Sequence, residues 1–160
     1  MREQCCWMHK SGNVLNSLPK VVMAKAKSDL HEIWMAPTWK DAEMSFDRFL
    51  VTYGLKYSKS AHCLLKDRER LLTFYDFPAK HWINIRTSNV IESSFGTIRK
   101  RTQTAKGCGF RTTMFAMMFK LAIGAMRIFR RYKGRALLAR IVSGSVFTDG
   151  LEPRRQAVAV

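Results

Sequence analysis

The chain has 160 residues, 47% hydrophobic and 25% charged, with 28 Lys and Arg against 12 Asp and Glu for a net charge of +16. The apolar content excludes a disordered chain, and the length suits one compact domain, or a domain with a tail. The charge selects a polyanionic partner, nucleic acid before an acidic membrane surface.

The N-terminus MREQCCWMHK has no apolar signal-peptide core, and Cys5, Cys6, Cys63 and Cys108 have no disulfide-framework spacing. They read as reduced thiols of a cytoplasmic protein. Strand character is confined to Glu3–Trp7 and Ser145–Phe147. A short helical turn is expected over Asn13–Leu18, stopped by Pro19, then a helix over Lys20–Met35 that ends before Ala36-Pro37. Thr38 is placed to cap TWKDAEMSFDRFLVTYG, in which Trp39, Ala42, Phe46, Phe49, Leu50 and Tyr53 recur at helical spacing and Gly54 ends the run. Ser58 or Ser60 opens the next helix, with Ala61, Leu64, Leu65, Leu71 and Leu72 inward and Lys66–Arg70 toward water. Pro78 precedes a short segment that holds Trp82. Residues 13–82 thus form a helical subdomain with a Trp/Phe/Leu core, in which Trp34 is expected to be buried.

Charge then becomes one-sided. Residues 86–140 hold 13 basic side chains and one acid, Glu92. A helix is expected near 89–103, a turn at Lys106-Gly107-Cys108-Gly109, a long apolar helix near 111–131 and a short amphipathic stretch over Arg135–Val142. The window Met114–Phe129 is too short, and with Lys120 and Arg127 too charged, to span a membrane, so it is expected to be a buried core helix. The tail LEPRRQAVAV is expected to be poorly ordered. A basic run of this density favours phosphate contact over a merely solvated face.

A lone carboxylate in such a run has two readings. Asn89-Val90-Ile91-Glu92 has capping-box spacing, and an acid in a first helical turn meets the positive end of the helix dipole. An ion pair along the helix is ruled out, because positions i+3 and i+4 are Phe95 and Gly96. The second reading is a ligand for Mg²⁺, which prefers carboxylate oxygens and substrate phosphates. On a helix, Ile91, Phe95 and Ile98 would make a buried stripe. Glu92, Gly96 and Arg99 share the adjoining face, where Gly96 leaves room for a ligand.

The stretch RTSNVIESSFGTIRKRTQTAKGCGF resembles the third-carboxylate block of the Mutator-type bacterial insertion-sequence transposases, a T-x-N-x-I-E-S run followed by I-R-x-R-T. QCCWMHK resembles their C-x-x-H signature, and NVLNSLPK, LHEIWMAPT, FDRFLVTYGLKY and LLTFYDFPAKHW resemble their helical insertion. The resemblance implies a mainly α chain, the C-terminal part of an RNase H-like catalytic domain with an all-helical insertion. Residues 1–12 would be the end of a core strand with the signature, 13–82 the insertion, 83–142 the returning basic core helices and 143–160 a tail. Glu92 would be the third acid of a DDE triad and its Mg²⁺ ligand, with Cys6, Trp7 and His9 as a structural signature. Arg86, Arg99, Lys100, Arg101, Lys106 and Arg111 would contact DNA, both terminal repeats and target. The intact enzyme would self-associate, in the cytoplasm at the nucleoid and away from membranes.

The family's first two aspartates precede the C-x-x-H signature, and only five residues precede Cys6 here, none of them Asp. The expectation is therefore a transposase fragment that binds DNA and is inactive alone. The competing readings are a non-enzymatic basic DNA-binding module and, weakest, a membrane-surface binder. Zinc at Cys6 and His9 is disfavoured, since a structural site takes four ligands.

Overall fold

Thr38 caps the helix that begins at Trp39, and its hydroxyl accepts from the Asp41 amide at 3.1 Å while donating to the Asp41 carboxylate at 2.7 Å. In this computed structural model the described residues are 3–104, 109–128 and 133–153, apart from the side chains of Asn89, Val90, Ile91, Ser94 and Ile128. They divide into two units, Met1–Thr87 with Lys133–Val160, and Ser88–Tyr132. The first boundary falls five residues beyond the expected end of the helical subdomain, so the Trp82 segment packs with the first unit. The expected turn residues Lys106, Gly107 and Cys108, and the tail from Arg154 onward, lie outside the described residues.

The first unit contains α1 (Trp7–Leu15), α2 (Lys20–Met35), α3 (Trp39–Gly54), α4 (Ser58–Leu65), α5 (Arg68–Leu72) and α6 (Trp82–Ile85), with 3-10 turns at Thr73–Asp76 and Ala79–His81. The boundaries of α2 and α3 are those the Pro19, Pro37, Thr38 and Gly54 signals predict. α3 packs between α2 and α4, and α1 touches both α2 and α4. Their inward faces meet in one core that includes Trp7, Leu30, Ile33, Phe46, Phe49, Leu64, Leu71 and Phe74. Two tyrosine hydroxyls in this core find acceptors. The Tyr53 hydroxyl donates to Asp29 at 2.6 Å, and that of Tyr75 donates to the Ala36 carbonyl at 2.7 Å. Burial pushes both phenols up, and the Asp29 carboxylate raises Tyr53 further.

Three expectations are corrected here. Helix α1 starts at Trp7 rather than Asn13, because Trp7, Lys10 and Val14 form its buried stripe. Lys10 belongs there through its ion pair with Asp67 and a bond to the Cys63 carbonyl at 3.2 Å. The stretch Lys66–Arg70 is not one wet helical face, since Asp67 turns inward to Lys10 and separates α4 from α5. Residues 3–6 form no strand, and among the described residues the strand-like pairing is one isolated bridge, Thr148 to Leu151. The mainly α expectation holds; the RNase H-like context is not visible in these elements.

Residues 133–153 return to the first unit, with a 3-10 turn at Arg135–Leu137 leading into α9 (Leu138–Val142). The Gly150 amide donates to the Tyr75 carbonyl at 3.2 Å and its carbonyl accepts from Ala79 at 3.1 Å. Gly150 has φ +78°, and a Cβ there would lie 2.6 Å from that of Ala79. Glycine is therefore required by both backbone and space. The neighbouring Asp149 accepts from the Trp39 amide at 2.6 Å, so this return also helps to cap α3.

The second unit contains α7 (Asn89–Thr104) and α8 (Arg111–Ile128), which pack on each other. α8 was expected to be buried, yet Phe115, Phe119 and Met126 are exposed. The helix is apolar nearly all round, and one neighbour cannot cover every side of such a helix.

Candidate nucleic-acid interface and the Glu92 turn

Helix α7 takes Asn89 as its first residue, and the Glu92 amide bonds the Ser88 carbonyl at 3.0 Å. Ser88 is therefore the cap, one residue earlier than the capping-box spacing implies. The Glu92 carboxylate accepts from the Ser88 hydroxyl and lies in the first turn, where the helix dipole favours it. Glu92 is exposed, as are Gly96 and Arg99 on the same face. A Cβ at Gly96 would meet nothing within 4 Å, so the face is open. The expected buried stripe beside it is not formed: Phe95 is 60% exposed. Ile98 is half-buried, and the side chain of Ile91 lies outside the described residues.

The predicted DNA contacts separate into groups. Arg99, Lys100 and Arg101 on α7 and Arg111 at the start of α8 are exposed, together with Lys120 and Arg127. Among the described residues none of these six pairs with a carboxylate, while the seven ion pairs seen lie in the first unit. Arg111 lies over the Phe115 ring, 5.4 Å from its centroid. Arg101, Thr104, Met117 and Leu121 line a shallow groove between the two helices. Lys106 lies outside the described residues.

Arg86 is a correction. Its guanidinium donates to the Trp34 carbonyl, its Nε to the Trp82 carbonyl at 3.3 Å, and it stacks among the rings of Trp34, Phe74 and Trp82. Burial lowers its pKa. A guanidinium committed in this way belongs to the first unit's packing, so Arg86 leaves the phosphate-contact set.

Cys6, half-buried, precedes the first residue of α1, and its carbonyl accepts from the Lys10 amide at 3.0 Å. Trp7 is fully buried and its indole donates to the Leu71 carbonyl at 2.8 Å, whereas His9 is exposed. No disulfide joins Cys5, Cys6 and Cys63. Among the described residues no three His, Cys, Asp or Glu groups gather as a metal site. Glu92 is a hard oxygen donor of the kind Mg²⁺ takes, but its two oxygens fall well short of an octahedral set. The described residues thus fit one ligand of such a site and not the site itself.

The aspartates of the first unit have other partners. Asp29 holds Tyr53, Asp41 accepts from the Thr38 hydroxyl, Asp47 pairs with Arg68 and Asp67 with Lys10 and Arg70. A cleft of about 990 Å³ in this unit, between Trp39, Arg68, Tyr75 and Asp149, contains none of the sequence-predicted site residues. Sequence reasoning missed the Lys10–Asp67 pair and the role of Arg86, because both depend on contacts more than 50 positions apart.

The family model for transposases of the Mutator family matches residues 1–110, a stretch that includes both Cys6–His9 and Thr87–Ser93, and the chain belongs to that family. It is 43% identical over 149 residues to the transposase for insertion sequence element IST2 of Acidithiobacillus ferrooxidans, covering 93% of this chain and 50% of the relative. It is 40% identical over 149 residues to that for IS6120 of Mycolicibacterium smegmatis, covering 93% of this chain and 46% of the relative. A more distant relative, the transposase for IS905 of Lactococcus lactis, is 28% identical over 102 residues, 64% of this chain and 26% of its own length. The chain spans about half the length of the first two relatives. No solved structure matches it. No described helix is long and apolar enough to cross a membrane.

Proposed function

We propose that these 160 residues serve DNA transposition by carrying the third acid of a DDE site, Glu92, on the C-terminal part of an RNase H-like catalytic domain. The helices of residues 13–82 are the insertion that interrupts that domain. The observation that carries the reading is the placement of Glu92. It is an exposed carboxylate in the first turn of α7, on an open face with Gly96 and Arg99, inside the T-S-N-V-I-E-S run that the family resemblance marks. A basic surface keeps an acid there at a cost to phosphate affinity, and metal binding is a task its cations cannot do.

Two further carboxylates are needed, since one cannot hold two Mg²⁺ ions about 4 Å apart. The described aspartates support their coming from elsewhere in the transposase, because those with identified partners are engaged in packing or capping. On this reading the chain alone binds DNA through Arg99, Lys100, Arg101, Lys106 and Arg111 and does not cut it. The intact enzyme acts on the element's terminal repeats and on target DNA as a self-associated assembly near the nucleoid, with Mg²⁺ as cofactor.

The Ser88–Glu92 bond favours one alternative, a non-enzymatic DNA-binding module in which Glu92 only steadies a helix. The test joins this chain to the upstream half of the IST2 transposase and follows Mg²⁺-dependent DNA strand cleavage. The fusion should cleave and its Glu92→Gln variant, which keeps the shape of the side chain, should not. Cleavage undiminished in Glu92→Gln would return the residue to a helix-steadying role. Mg²⁺-dependent cleavage by the purified 160-residue chain would overturn the need for further carboxylates.

A further inference from the structure

Helix α8 carries an apolar stripe that α7 does not cover. At 3.6 residues per turn, Phe115, Phe119 and Met126 fall within about 40° of one another around the helix. Met117 and Leu121, which line the groove with Arg101 and Thr104 of α7, lie on the roughly opposite side. The stripe is open to water: Phe115 is 55% exposed, Phe119 65% and Met126 66%. A run of large apolar side chains left in water on one face marks a contact surface.

The chemistry beside the stripe selects what it contacts. Arg111 stands on one flank and Lys120 and Arg127 on the other, all three exposed. Residues 88–132 hold nine Lys and Arg against one acid, Glu92. A second copy paired along this stripe would set cations against cations in either direction, which opposes association. A nucleic-acid strand supplies phosphates for the cations and flat apolar faces for the rings. A duplex supplies only the phosphates, because its bases are already stacked on one another and must be unstacked to be reached.

The spacing of the rings suits that ligand. Phe115 and Phe119 are one helical turn apart, about 6 Å along the axis. Successive nucleotides of a stacked strand rise about 3.4 Å, and two such steps come to about 7 Å, so one base fits between the levels of the two rings. The Phe115 ring already offers a face to a planar group, the Arg111 guanidinium, whose carbon lies 5.4 Å from the ring centroid.

Resting on the proposed DNA binding of this basic unit, we infer that Phe115 and Phe119 on α8 form a stacking platform for unpaired DNA bases. Arg111, Lys120 and Arg127 hold the phosphates of the same strand. The ligand is thus a single strand or a frayed DNA end, and the rings add to phosphate contact a preference for bases that are free to stack.

The test measures fluorescence anisotropy of the 160-residue chain with three labelled probes of equal length, about 16 nucleotides. They are an oligothymidylate, the same strand with every base replaced by an abasic unit, and a duplex. The oligothymidylate should bind at least about fivefold more tightly than the abasic strand. Phe115→Leu combined with Phe119→Leu, which keeps apolar bulk but removes the rings, should abolish that difference and leave the Kd for the abasic strand unchanged. Equal wild-type Kd values for the oligothymidylate and the abasic strand would overturn the inference while phosphate binding stands, and this comparison holds whether or not the double variant folds. An equal loss on all three probes in the double variant would overturn it too, by assigning the rings to packing. Failure to bind any probe would refute the DNA-binding reading itself. A dimer in sedimentation velocity that Phe119→Arg dissolves would make the stripe an interface between copies instead.

Discussion

Replacing Trp7 by Ala should cost the first unit about 4 kcal/mol, about twice the cost of Trp34→Ala. The Trp7 side chain is fully buried. At roughly 25 cal/mol per Å², the 150–250 Å² that a Trp side chain buries is worth about 4–6 kcal/mol, an upper figure because an unfolded chain already hides some apolar area. The indole bond adds little. The Leu71 carbonyl it leaves also accepts from the Gln4 side chain at 3.1 Å, so no buried acceptor is orphaned. Trp34 was expected in the core but is only half-buried, edge-on to His31 at 4.8 Å and against Arg86. About half the area gives a loss of about 2 kcal/mol. Urea titrations followed by far-UV ellipticity, for wild type and both variants, measure the difference without depending on tryptophan emission. A domain of this kind has on the order of 5–15 kcal/mol in hand, so both variants should fold and be comparable. Equal losses for the two, or a loss below about 1 kcal/mol for Trp7→Ala, would refute the packing argument.

Binding of the chain to duplex DNA should weaken with salt, log K falling against log[salt] with a slope of about −5 or steeper if six or more phosphates are neutralised. Charge reversal at Arg99, Arg101 and Arg111 should flatten that slope in a fluorescence-anisotropy titration, and a salt-independent Kd would count against phosphate contact. Gly96→Ala should stabilise α7 by roughly 0.5–1 kcal/mol, because a Cβ meets open space in a helix interior. Gly150→Ala should destabilise the first unit by at least about 1 kcal/mol through its left-handed backbone and the clash with Ala79; thermal melts of the two separate the cases. The Asp67 carboxyl is held below its usual range by its hydrogen bond to Lys10 and by the Lys10, Lys66 and Arg70 charges, against a desolvation that raises it. A depressed folded pKa means stabilisation that is fully present above about pH 4 and lost as pH falls through the lower folded value. Asp67→Asn should therefore destabilise the first unit at neutral pH, and less as pH drops below 4, in urea titrations at several pH values; a pH-independent loss would contradict the linkage.

Local chemistry made α2 and α3 legible, because Pro19, Ala36-Pro37, Thr38 and Gly54 act on the residues beside them. The same is true of Glu92, whose isolation in a basic run can be counted in the sequence and whose first-turn position follows from helix-start signals. What stayed hidden involves distant partners. Lys10 broke the apolar periodicity of α1 because the carboxylate that permits its burial stands 57 residues away. Arg86 read as one more phosphate ligand because charge density does not reveal that three aromatic rings and the Trp34 carbonyl surround a guanidinium. Phe95 and the faces of α8 have apolar sequences that predict burial, but sequence periodicity identifies a face to be covered without identifying what covers it.

The two readings of Glu92 need not compete for the same side chain. A carboxylate in a first helical turn, with the Ser88 hydroxyl donating to it, is held in place by interactions each worth about 1 kcal/mol or less. Those interactions are strong enough to keep an acid ordered among cations and weak enough to yield to a divalent ion, whose attraction for a carboxylate is larger. A salt bridge to a neighbouring arginine would hold the acid more firmly and would also compete with the metal. The sequence avoids one along the helix, placing Phe95 and Gly96 where a cation at i+3 or i+4 would reach it. Arg99, Lys100 and Arg101 stand about two turns or more further on, beyond the reach of an i,i+4 pair.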